Sequence, residues 1–76
     1  MNTPTLVRMA NQIAGFFRAQ PGDAAVAATA DHIKKFWDPR MRKDLAVHLQ
    51  AGGAGLDPLA LEAAQSLQET TVAAKT

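Results

Sequence analysis

The chain has 76 residues, no cysteine, a formal net charge of +1 and a hydrophobic fraction of 47%. This length allows one small domain, and the missing cysteines exclude disulfides, thiolate metal sites and cysteine nucleophiles. Sixteen of the apolar residues are alanine, so bulky core side chains are few, and domains of this size commonly lean on a metal, a disulfide or a partner for stability.

The first predicted helix opens at Thr3-Pro4, with Thr3 as N-cap and Pro4 at the first helical position. Leu6, Met9, Ala10, Ile13, Phe16 and Phe17 recur every three to four residues and share one face. Packing in the core is the default expectation for both phenylalanines. The apolar face is nevertheless wider than a two-layer bundle requires, which leaves part of it for a partner. Arg8, Asn11, Gln12, Gly15 and Arg18 take the polar side, and Gln20-Pro21-Gly22 ends the helix.

Asp23 is expected to cap a second helix with the stripe Val26, Ala30, Ile33, Phe36 and Trp37. Its outer face carries Ala24, Ala27, Ala28, Asp31 and Lys35, the last two at the favourable four-residue spacing. Asp38-Pro39 stops this helix and starts a third, with Asp38 as N-cap. Met41, Leu45 and Leu49 turn inward there, while Arg40, Lys43, Val47 and Gln50 turn outward. Gly52-Gly53-Ala54-Gly55 terminates it.

Leu56-Asp57-Pro58 repeats the start signal, with Leu56 and Leu61 placed as a hydrophobic staple around the Asp57 cap. Leu59, Ala60, Ala63, Ala64 and Leu67 continue the apolar stripe, and residues 69–76 are expected to fray. The fold expected is all-α, one domain built as a small bundle of three to four short helices, ordered over about residues 4–68. No apolar run is long enough to span a bilayer and no secretory signal is visible, so the expectation is a cytoplasmic chain with no membrane association.

Catalytic chemistry finds no footing. Ser66 is the only serine and has no histidine near it in the sequence. The glycine run is followed by no Lys, Ser or Thr of a phosphate loop. His32 and His48 stand on different helices without metal-ligand spacing. His32 reads as a solvent-edge residue, and His48 as a core histidine bonded to a backbone carbonyl.

The charge is unevenly spread. Lys34, Lys35, Arg40, Arg42 and Lys43 fall in ten residues that hold one acid, Asp38, giving a local +4 against −3 over the rest of the chain. These cations flank Phe36 and Trp37, and the set Lys34, Lys35, Phe36, Trp37, Arg40 and Arg42 is the candidate partner-docking surface. Three readings compete for it: a solvated face, a nucleic-acid site in which aromatics stack on bases, and a protein-docking corner. The near-neutral total charge makes nucleic acid the least favoured.

Several segments resemble one family. These are Leu6-Val7-Arg8-Met9-Ala10-Asn11-Gln12-Ile13-Ala14, Phe16-Phe17, His32-Ile33-Lys34-Lys35-Phe36-Trp37-Asp38-Pro39-Arg40-Met41-Arg42 and Gly55-Leu56-Asp57-Pro58-Leu59. They are similar to the delta subunit of soluble, NAD-dependent, molybdenum-containing formate dehydrogenases over about residues 5–65. The stretch from His32 to Arg42 is the most specific part, because the string from Phe36 to Arg42 is unusual. The resemblance implies a complex whose catalytic alpha subunit carries a molybdenum bis-pterin cofactor and iron–sulfur clusters. Its beta subunit carries FMN and reduces NAD, and its gamma subunit carries a further iron–sulfur cluster. By the same resemblance this chain holds no cofactor and is a non-catalytic accessory subunit for assembly or stability. Two alternatives stay open: a small nucleic-acid-binding helical module, and a transient assembly chaperone for the catalytic subunit.

Overall fold

A helix begins where a side chain can accept the backbone N–H groups that its first turn leaves free. The computed structural model describes residues 2–75, with side chains for residues 2–68. Among the described residues there are four α-helices and no strand: α1 (Thr3–Phe17), α2 (Asp23–Phe36), α3 (Pro39–Gln50) and α4 (Pro58–Lys75). The expected all-α bundle is therefore the observed one.

Two of the four starts follow the sequence reading closely. Asp38 Oδ1 accepts the Met41 N–H at 2.8 Å, and Asp57 Oδ1 accepts the Ala60 N–H at 2.8 Å, each with proline at the next position. The other two are displaced by one residue. Asn2, not Thr3, caps α1, its Oδ1 accepting the Thr5 N–H at 2.9 Å. Gly22, at φ 48°, precedes α2 without a side-chain cap, and Asp23 sits in the first turn, where its charge favours the helix dipole. Asn and Thr are both good caps, and proline is tolerated at either of the first two positions, so composition does not separate such neighbours.

α3 ends in a Schellman motif. The Gly53 N–H reaches the His48 carbonyl at 2.9 Å and the Gly52 N–H reaches the Leu49 carbonyl at 3.0 Å. Gly53 requires its small size as well as its φ of +67°: a β-carbon there stands 2.9 Å from Leu61 Cδ1 and 3.6 Å from Leu56 Cδ1. The two expected staple leucines thus close over the same glycine.

The core joins Leu6, Ala10 and Ala14 of α1 to Ile33, Trp37, Leu45, Ala60 and Ala64, with Met9, Ile13, Met41, Leu49, Leu56, Leu59 and Leu67 packed around them. Alanines at these sites let the helices lie close together. Thr29, fully buried, was absent from the expected stripe. Its hydroxyl is satisfied inside its own helix by donating to the Ala25 carbonyl at 2.8 Å.

Two expectations for the core are corrected. Phe16 is 81% exposed and Phe36 is 72% exposed. The buried side of α2 is centred on Ala25, Thr29 and Ile33, which leaves Phe36 at its edge beside His32. No further helix among the described residues covers the junction of α1 and α2 there. The backbone of α4 continues helical to Lys75. The side chains from Glu69 on, with Met1 and Thr76, lie outside the described residues, and so does the fraying expected of that tail.

Candidate functional site

α1 separates two unlike surfaces. On one side its polar residues are tied to the connection between α3 and α4. Asn11 donates from Nδ2 to the Gly55 carbonyl at 2.9 Å and accepts the Asp57 N–H at Oδ1, also at 2.9 Å. Arg18 Nη2 meets Asp57 Oδ2 at 2.7 Å. Nearby, His48 Nε2 lies 2.8 Å from the Ala54 carbonyl, the backbone partner expected of it. These groups spend their polar capacity on the fold.

On the other side is a groove of about 450 Å³. Met9, Ile13, Phe16 and Phe17 of α1 form one wall, His32 and Phe36 of α2 the other, and Trp37 and Met41 close the end. The rings form a run: Phe16 meets Phe17 edge-on at 5.2 Å, Phe17 lies 6.0 Å from His32, and His32 lies 4.6 Å from Phe36. Among the lining residues there is no carboxylate and no hydroxyl; the polar side-chain groups are the amide of Gln12, the imidazole of His32 and the indole N–H of Trp37. Such a surface can bury apolar side chains. It offers no nucleophile with a paired base, and among the described residues no group of three His, Asp or Glu side chains is arranged to hold a metal ion.

Of the six candidate docking residues, two line this groove. Phe36 stands exposed on its wall, whereas Trp37 is only 5% exposed and serves as packing at its end. Lys34, Lys35, Arg40 and Arg42 lie outside the lining. Lys35 pairs with Asp31 at 3.1 Å, an exposed contact worth a few tenths of a kcal/mol at most. Lys34 and Arg40 are exposed and have no acidic partner among the described residues. Arg42 is half-buried, and its Nε is enclosed without a hydrogen-bond partner among them.

Met9, Ile13, Phe16 and His32 line the groove but were not among the six docking candidates. The excess width of the apolar face on α1 was the signal for the first three. His32 sits between two rings rather than free at a solvent edge, and nothing in its local sequence separates those cases.

No helix among the described residues is long and apolar enough to cross a membrane. Comparison with known proteins found no match to a curated protein and none to a solved structure. A family model, that of the NADH-dependent formate dehydrogenase delta subunit FdsD, matches residues 5–64. That span runs from the first turn of α1 to Ala64 and so takes in every core residue, the aromatic groove and the Asn11–Asp57 connection. The chain belongs to the formate dehydrogenase delta subunit family.

Proposed function

We propose that this chain is a non-catalytic accessory subunit that docks onto the NAD-dependent formate dehydrogenase complex and supports its assembly or stability. The observation that carries the reading is the pair of exposed phenylalanines, Phe16 and Phe36, on an apolar groove that nothing among the described residues covers. Two bulky aromatics left in water on an 8.1 kDa protein forgo burial worth about 1.5–3 kcal/mol each, which a partner surface recovers. Family membership supports other formate dehydrogenase subunits as the partners, and in this reading they are the catalytic alpha subunit with the beta and gamma subunits.

In this reading the molybdenum bis-pterin, iron–sulfur and FMN groups belong to those subunits, and this chain acts by contact alone in the cytoplasm. Its donor set suits that role, since iron–sulfur ligation rests on cysteine thiolates and the sequence has none. Lys34, Lys35, Arg40 and Arg42 supply charge complementarity to an acidic face, Phe36 supplies apolar contact, and Trp37 holds the corner between α2 and α3 rigid. Nucleic acid has less support, because Trp37, one of the two aromatics flanked by the basic residues, is buried and the net charge of the whole chain is only +1.

The test is co-expression of the complex with the wild-type chain, with Arg40→Glu/Arg42→Glu, and with no delta chain. Omission is expected to lower the yield of assembled complex and shorten its active lifetime. The double charge reversal is expected to reduce co-purification. A complex of unchanged yield and lifetime without the chain overturns the reading.

A further inference from the structure

The proposed function says that the chain docks; the groove and its surroundings say what it docks to. We infer that the groove between α1 and α2 receives an amphipathic helix of a partner subunit, whose apolar stripe seats between Phe16 and Phe36 and whose flanking acidic residues meet Lys35 and Arg40. This inference rests on the docking role proposed above and adds the chemistry of the occupant.

Length argues for a helix. Along the α1 wall of the groove, Phe16 lies seven positions beyond Met9, or about 10 Å of helix axis. An apolar stripe with anchors at i, i+3 or i+4, and i+7 covers the same distance, which is the spacing by which helices fill hydrophobic grooves. The walls are side chains of two helices whose backbone hydrogen bonds are satisfied internally, so no free sheet edge invites an extended peptide. The lining carries almost no polar groups, so the occupant gives up few water contacts there only if its inserted side chains are themselves apolar.

Charge argues for acid on the occupant. Lys35 neighbours the wall residue Phe36 in the chain, and Arg40 neighbours the lining residue Met41. Arg40 has no acidic partner among the described residues, Lys35 has only its exposed contact with Asp31, and the groove itself contains no carboxylate. A second copy of this chain is the poorer occupant. In a two-fold interface the same patch meets itself, so the cations beside the groove would be brought toward like charge. A single strand of nucleic acid would satisfy the cations and find Phe36 to stack on, but a net charge of +1 lacks the basic excess of nucleic-acid-binding domains.

The experiment titrates purified delta chain into the complex of the remaining subunits, comparing wild type, Phe16→Ser/Phe36→Ser and Lys35→Glu/Arg40→Glu. All four residues are exposed, so both variants are expected to fold, which circular dichroism verifies. The phenylalanine variant is expected to bind at least tenfold more weakly. The charge variant is expected to bind more weakly at low salt and to lose most of the salt dependence shown by wild type. A photo-reactive phenylalanine analogue at position 16 in the assembled complex is expected to cross-link to a segment with apolar residues at i, i+3 or i+4, and i+7, flanked by Asp or Glu.

Wild-type affinity retained by the phenylalanine variant overturns the groove while leaving the docking role standing. Failure of the wild-type chain to bind the complex sinks the docking role itself. Cross-linking to a segment without acidic residues overturns the stated chemistry. So does wild-type dimerisation abolished by Phe16→Ser/Phe36→Ser, or tight binding of a single-stranded oligonucleotide that the same variant abolishes.

Discussion

On one flank of α1, Asn11 and Arg18 are joined to the connection before α4 by three polar contacts of 2.7–2.9 Å. On the other flank, Met9, Ile13 and Phe16 face a groove that no other part of the described chain fills. The same helix therefore completes its hydrogen bonding on one side and leaves its apolar surface unfinished on the other. The contrast separates two uses of surface. Polar groups that find partners over 39 to 46 residues of sequence fix the fold, whereas large apolar groups left in water point outward to something else.

Substitutions can break that contrast or sharpen it. The largest effect belongs to Leu6→Ala, at a side chain 1% exposed between the two flanks. A loss of about 2–5 kcal/mol is expected from chemical denaturation, with both flanks melting together. Asn11→Ala strikes the tied flank alone. It leaves the Gly55 carbonyl and the Asp57 N–H without their partner and should cost about 1–3 kcal/mol while leaving the groove intact. Gly15→Ala works in the opposite direction. The position is helical and exposed, and an added β-carbon meets nothing within 4 Å, so a gain of about 1 kcal/mol is expected. Weaker binding of that variant to the complex would show that a partner's backbone passes close to α1 at this point. The smallest effect on stability is that of Phe16→Ser, within about 0.5 kcal/mol, because its ring is already in solvent. A stability loss well beyond that would mean that the open flank belongs to the fold after all.

Much of the helix framework was legible because its signals are local. Asp38-Pro39 and Asp57-Pro58 each place a cap and a preset φ side by side, and the glycine run after Gln50 permits the positive φ angles that close α3. The fate of Phe36 was not legible. Periodicity places it near the apolar stripe of α2, but whether an edge position is covered depends on how many helices surround it, and that is a property of the assembled bundle. Thr29 was passed over as polar, although a hydroxyl returned to its own helix is cheap to bury. Lys34, Lys35, Arg40 and Arg42 were singled out by their density along the chain, yet none of them lines the groove. The contacts of Asn11 and Arg18 with Asp57 carry no local signal at all.

Asp57 carries an unusual share of the wiring. One carboxylate oxygen starts α4, the other holds Arg18, and its own amide is held by Asn11. The last helix consequently obtains its starting geometry from the first. Hydrogen exchange across α1 and the opening turn of α4 should then report one shared opening event, so that the two ends of the chain are gained or lost as a cooperative unit.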